Sequence, residues 1–334
     1  MARSFRRTSR FPPIYQAGFP NAELKWYDRV GNEVGTAGRP SALWGQVRIS
    51  RDGKRVAATV WSPENGGTGI WIFDANSRES RRLTFPPEVH RRPVWSPDGT
   101  QLAVGGSPAV GRPQLAIVDV TNGKGQPFVD VAGTMRGGAA AAASAQSQPF
   151  ALPTDWSRDG RFIALDNGLG DEVEEVWIAD VAERKFVPLF QNKFPQWGTA
   201  FSPDGKHIAF VSIESGRPEV YVQRFESTPS AHVAGEKRQV SRNGAWLVRW
   251  RGDGSELFFL GLDNLLQAVA IRGALEFSEP RPLFRIPGAP QNGTTRDFQF
   301  DVSPDGQRFI MPTTGSVAPP PLTVIENWQD KFHP

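Results

Sequence analysis

The 334-residue chain contains no cysteine and only four histidines, three methionines and three tyrosines. Without cysteine there is no disulfide framework, no thiolate chemistry and no Cys-bound zinc. The histidines, His90, His207, His232 and His333, are not spaced as metal ligands on one element. No stretch reaches the ~18 apolar residues of a membrane span. Four of the first ten residues are arginines, yet no apolar run of ~7 to 15 residues follows them, so no secretory signal is visible. Lysine plus arginine exceed aspartate plus glutamate by only three, too little to argue for a nucleic-acid partner. Nucleophile chemistry lacks its Gly-x-Ser-x-Gly elbow, the nearest text being GGSPAVG around Ser107. The phosphate loop ending in Gly-Lys-Ser/Thr is missing too. DVSPDG, with Asp301 and Asp305, has neither the alternating oxygen ligands nor the closing glutamate of a calcium loop. The reading is a chain with no cofactor and no metal, not an enzyme, and a monomer. It is cytoplasmic by default, with the periplasm as the alternative if the true start lies further upstream.

What the chain has is repetition. VWSPDGTQLAVG, from Val94 to Gly105, recurs as RISRDGKRVAAT, DWSRDGRFIALD, AFSPDGKHIAFV, RWRGDGSELFFL and DVSPDGQRFIMP. In Ser-Pro-Asp-Gly the proline presets φ, the aspartate bonds nearby N–H groups and the glycine takes φ > 0 freely. Large apolar residues stand three before each Asp (Ile49, Trp95, Trp156, Phe201, Trp250, Val302) and four after it (Val56, Leu102, Ile163, Ile208, Leu257, Phe309). Such matched offsets predict paired strands around a tight turn. A second hairpin follows each of the first five, as in GIWIFD…RRLTF. Each unit is therefore four short antiparallel strands, a to d.

The turn glycines lie 46, 61, 45, 49 and 52 residues apart, near the ~40 to 50 of four-stranded propeller blades. The long interval contains an Ala/Gly/Ser-rich insertion at 133–149. The expected fold is all-β: a β-propeller of six blades over residues 23–330, preceded by a disordered tail at 1–22. The sixth unit is expected to supply strands a, b and c, the last as PLTVIENW. The opening segment then gives strand d and closes the ring, leaving no long free edge. The rival count is seven, because LKWYD and EVGTAG read as a complete c to d hairpin of an incomplete first blade.

These turns, with the strands IWIFD and xEVYV, resemble the TolB-type β-propeller repeat. LKWYDRVGNEVGTAG, RRLTFPPEVHRRPVWSPDG, SGRPEVYVQRF and FDVSPDGQRFIM are most similar to propellers at the C-terminus of bacterial serine/threonine protein kinases. The resemblance implies a six-bladed ring that binds proteins or peptides, within an envelope complex or as a sensor attached to a kinase. The chain holds no kinase motif, so kinase activity does not carry over.

A binding surface on such a ring is expected at a mouth of the central channel, where loops from every blade meet. Four residues before each turn Asp stand Arg48, Val94, Asp155, Ala200, Arg249 and Asp301. Either the charged ones form the site or they link blades by ion pairs and hydrogen bonds. The loops entering strand a carry Trp44, His90, Arg91, Arg92, Trp197, Trp246 and Arg296, of the types that anchor interfaces. The candidate binding residues are thus Trp44, Arg48, His90, Arg92, Asp155, Trp197, Trp246, Arg249 and Asp301, with no catalytic residue and no metal ligand. Arg251-Gly252-Asp253 spells an adhesion tripeptide but occupies a turn. Asp171, Glu172, Glu174 and Glu175 in DEVEEVW are a solvated loop or a carboxylate cluster. The expected function is a non-catalytic scaffold for a protein or peptide, with a kinase domain as a further partner. The alternatives are the gate of a prolyl-oligopeptidase-like peptidase that lacks its hydrolase domain, or a propeller enzyme acting on sugars or lactones.

Overall fold

Each Asp-Gly turn is assembled from the same few bonds. In five copies a serine two residues before the aspartate (Ser50, Ser96, Ser157, Ser202, Ser303) donates its hydroxyl to the carboxylate at 2.5–2.6 Å. The same Oγ accepts the N–H five residues on, at 2.8–3.0 Å. The glycines sit at φ of 69 to 80°, a region open to glycine at no steric cost. Arg251 replaces the serine in the remaining copy, where Ser255 donates to Asp253 instead.

A computed structural model of the protein describes residues 22–41, 43–62, 67–107, 114–129, 149–169, 174–190, 192–273, 275–287 and 300–314. Among these every regular element is a strand. The chain opens with β1 (Ala22–Tyr27) and β2 (Glu33–Ser41). Blade one is β3 (Leu43–Ile49), β4 (Arg55–Ser62), β5 (Gly67–Asp74) and β6 (Ser80–Arg82). Blade two is β7 (Val89–Trp95), β8 (Gln101–Ser107), β9 (Gln114–Asp119) and β10 (Gly125–Val129). Blade three is β11 (Pro149–Trp156), β12 (Phe162–Leu169), β13 (Glu174–Asp180) and β14 (Lys185–Pro188). Blade four is β15 (Gln196–Phe201), β16 (His207–Ser212), β17 (Glu219–Glu226) and β18 (His232–Gln239).

Blade five is β19 (Ala245–Trp250), β20 (Glu256–Gly261) and β21 (Leu265–Arg272), the last paired with both β22 (Glu276–Phe277) and β23 (Arg281–Arg285). The chain returns as β24 (Asp301–Val302) and β25 (Phe309–Thr314). These join the opening hairpin in one sheet, ordered β2-β1-β25-β24. The ring therefore has six blades, closed by two strands from each end of the chain.

One expectation is corrected here. The c position of the last blade is held by β1, which pairs with β25 from Ala22–Thr314 to Tyr27–Phe309. The C-terminal stretch PLTVIENW does not take that place and lies outside the described residues. LKWYD and EVGTAG are indeed a c to d hairpin, but of the sixth blade and not of a seventh. The tail at 1–21 and most of the 133–149 insertion also lie outside the described residues.

Apolar residues on both faces of the inner strands hold neighbouring blades together. β16 and β20 are buried at every position but their first. Six hydrophobic clusters fill the six seams, one between each adjacent pair of blades, including the seam where β1 and β25 meet blade one. Each fully buried Val, Leu, Ile or Phe contributes about 1.5–3 kcal/mol, so the seams carry most of the stabilisation. Polar staples fix the register at closure. Arg29, in the β1–β2 turn, grips Glu256 of blade five through both Nη atoms at 2.8–2.9 Å. Trp26 donates its indole N–H to the Ala75 carbonyl of blade one at 2.8 Å.

Candidate functional site: the channel at the hairpin-turn end

The innermost strand of every blade meets its neighbours around the ring. The residues four before each turn Asp all face one cavity there, of about 150 Å³. Arg48, Val94, Asp155, Ala200, Arg249 and Asp301 thus converge from six blades. Arg51, Arg158 and Arg251 from the turns join them at the rim. Five guanidinium groups face two carboxylates.

The two aspartates link blades. Asp155 accepts the Trp156 N–H at 2.9 Å through Oδ1 and the Phe201 N–H of the next blade at 2.7 Å through Oδ2. Asp301 accepts the Ile49 N–H of the next blade at 2.7 Å through Oδ2. Its Oδ1 lies 3.5 Å from Arg249 Nε. Where blades one and four lack a carboxylate at this position, the backbone carbonyl does the same work. Trp95 donates to Arg48 O, and Trp250 to Ala200 O, both at 3.0 Å. Burial pushes both carboxyls above their usual range, opposed at Asp155 by Arg51 and Arg48 and at Asp301 by Arg48.

The arginines reach across the lumen. Arg48 donates to Thr154 O at 2.6 Å and Arg51 to Trp156 O at 2.7 Å, both from blade one to blade three. Arg158 continues from blade three to Gly252 O of blade five at 2.6 Å. Burial pushes Arg48 and Arg51 below the usual guanidinium range, countered chiefly by Asp301 and Asp155 respectively. Arg249 is 6% exposed and donates Nη1 to its neighbour's carbonyl, Val248 O, at 2.8 Å. Its Nη2 is buried with no hydrogen-bond partner.

The other expected residues lie at the opposite ends of the innermost strands. Arg92 takes a positive φ of 49° at a bulge in β7 and pairs with the buried Asp166 at 2.8 Å. Asp166 also accepts the Gly198 N–H at 3.0 Å, and burial outweighs Arg92 in pushing its carboxyl up. His90 is buried, which holds its imidazole below the usual value against Glu88, 3.5 Å away. Trp197 and Trp246 sit 5.8 Å apart, and the Trp197 indole donates to Trp246 O. Trp44 lies on β3, but its side chain falls outside what is described, as does Arg296. The expected residues are therefore divided: Arg48, Asp155, Arg249 and Asp301 share the cavity, and His90, Arg92, Trp197 and Trp246 do not line it.

Arg51, Arg158 and Asp166 escaped the sequence reading, and Arg251 entered it only as part of a turn. A signal for the first two was present. At the residue before the turn Asp, three copies carry proline, whereas blades one and three carry Arg51 and Arg158.

The adhesion tripeptide is a turn: Arg251 pairs with Glu256 and Asp253, each at 3.3 Å. Of the acidic loop, Asp171 and Glu172 fall outside the described residues, and Glu175 accepts the Trp177 indole N–H. The related Glu219 is a buried strand-entry residue, bonded to Arg217 Nε at 2.7 Å, Ser241 Oγ at 2.5 Å and Gly244 N at 3.0 Å. Among the described residues no group of three or more acidic or histidine side chains is arranged to hold a metal. No helix there is long and apolar enough to cross a membrane.

Comparison with known proteins bears on the fold. No family model matches the chain. It is 32% identical over 76 residues to the Tol-Pal system protein TolB of Hahella chejuensis, covering 23% of this chain and 18% of that protein. A TolB from Hydrogenovibrio crunogenus is 26% identical over 73 residues, again matched over only 17% of its length. An uncharacterized protein of Agrobacterium fabrum is 23% identical over 281 residues, 72% of this chain and 90% of the relative. Among solved structures, an Agrobacterium tumefaciens protein assigned to TolB superposes with a TM-score of 0.64 at 17% identity, covering 90% of this chain and all of the other. An oligogalacturonate lyase in complex with manganese gives 0.52 at 13% identity, over 89% and 97% of the two chains. The protein is thus a six-bladed β-propeller, similar in fold to the Agrobacterium tumefaciens structure.

Proposed function

We propose that the protein is a non-catalytic scaffold that binds a peptide segment of a partner protein at the hairpin-turn mouth of its channel. The observation that supports this is the convergence there of side chains from all six blades, with arginines outnumbering carboxylates. A ring that brings one residue per blade to a common point makes a recognition surface no single blade could. The reading moves the interface away from Trp197 and Trp246, whose tilted ring contact belongs to the seam between blades four and five. The likeness to Tol-Pal proteins favours an envelope setting, so we place the protein in the periplasm in preference to the cytoplasm. Attachment to a kinase partner is the further proposal that the sequence resemblance supports.

Panning a random linear peptide library on the immobilised full chain tests the scaffold. Convergent binders that are lost on Arg158→Glu, an exposed rim position, are the expected result. No convergence, or binders indifferent to the rim, would overturn it.

A further inference from the structure

We propose that the channel cavity receives the carboxylate of an aspartate or glutamate side chain from the bound peptide, with Arg249 as the central donor. The proposal rests on the scaffold reading and adds the chemistry of the ligand.

Three features carry it. Arg249 is more than nine-tenths buried, yet Nη2 has no partner and Nε faces Asp301 only at 3.5 Å, outside hydrogen-bonding geometry. A buried cation so poorly satisfied is expensive to keep. The nearby carboxylates answer it only in part, through the 3.5 Å approach of Asp301. Asp155 has both oxygens engaged by backbone N–H groups, and Asp301 has one so engaged. Meanwhile Arg51, Arg158 and Arg249 donate to main-chain carbonyls, which are neutral. The arginines lining the mouth therefore outnumber the carboxylates that line it.

Size and wall chemistry select the ligand. A cavity of about 150 Å³ holds about five waters at ~30 Å³ each, which suits the end of one side chain and not a folded segment. Val94, Trp95, Phe201, Trp250 and Val302 form apolar wall, which would pack the methylene stem of an acidic residue. A free inorganic anion has no such stem. A carboxylate also matches the two-pronged guanidinium fork, as an amide does not.

The test compares an acidic peptide from the library panning with its Glu→Gln or Asp→Asn form, by fluorescence anisotropy on the full chain. The neutral form should bind about tenfold more weakly or worse, since one charge-assisted hydrogen bond is worth that much. Arg249→Gln should abolish the difference between the two peptides while leaving far-ultraviolet circular dichroism intact. Arg158→Ala, exposed and safe for folding, should weaken the acidic form alone, by about threefold, as expected of a rim charge. Equal binding of acidic and neutral peptides would overturn the carboxylate and leave the scaffold standing. Failure of the panning itself would remove both. Displacement by inorganic phosphate at lower concentration than by N-acetylglutamate would assign the cavity to an inorganic anion and overturn the peptide side chain.

Discussion

A serine hydroxyl and an aspartate carboxylate 2.5–2.6 Å apart recur in five of the six turns, and their protonation has a predictable consequence. At Asp98 and Asp305 the serine hydroxyl, followed by the backbone N–H, holds the carboxyl below its ordinary value. At Asp52 and Asp204 burial pushes the carboxyl up most strongly, but the same bonds together with neighbouring cations outweigh it. A depressed carboxyl stabilises the fold above its unfolded pKa and loses that contribution as pH falls through the lower, folded value. We therefore expect Asp98→Asn to flatten the loss of stability as pH falls below the ordinary carboxylate value, followed by denaturant unfolding across the acid range. An unchanged slope would deny the turn its role. Ser96→Ala should cost roughly 1 kcal/mol at neutral pH, the worth of the hydrogen bond. The buried aspartates act in the opposite sense. Burial raises Asp155, Asp166 and Asp301, so their ionisation as pH rises through those raised values lowers stability.

The element that decides closure is the opening hairpin. β2 lies against blade one, and Gly38 stands at φ 67° with its N–H on Ser77 O at 2.8 Å. A Cβ there would come within 2.1 Å of the Phe73 ring, so neither the backbone nor the space admits a side chain. Gly38→Ala should cost about 2–3 kcal/mol through overpacking and φ strain together, measured by equilibrium unfolding. Retention of wild-type stability would mean that β2 does not seat against Phe73. The sequence marked this hairpin as complete but could not say which blade owned it. Register between the two termini depends on β1 meeting β25, a pairing about three hundred residues apart in the chain. No local pattern encodes a partner that distant.

At the scale of the whole molecule, the ring has no terminal repeat to cap. Its sixth sheet exists only when both ends of the chain are present. Deleting residues 1–41 would strip two strands from that sheet and expose the seam facing blade one, where Leu24, Trp26 and Ala37 are buried. We expect the truncated chain to unfold in a broader, less cooperative transition than the full chain and to bind a hydrophobic dye below its midpoint. A sharp single transition at an unchanged midpoint would show that the other five blades stand alone. The same circular arrangement creates the channel site, because six residues at equal offsets from six turns are forced toward one axis.

The sequence by itself determined the blades. Turn chemistry is local, and Ser-x-Asp-Gly with apolar residues at fixed offsets dictates a hairpin wherever it stands, so the blade pattern and the inward position of Arg48, Asp155, Arg249 and Asp301 could be read in advance. The tertiary structure decided what those inward charges do. Whether Asp301 neutralises an arginine or links two blades depends on which N–H of the next blade comes within 2.7 Å of it. Whether Arg51 and Arg158 matter depends on two turns leaning over the same opening. Both are set by how whole sheets pack, because the seams are filled by non-directional apolar contact and only the assembled ring fixes which polar groups meet at its centre.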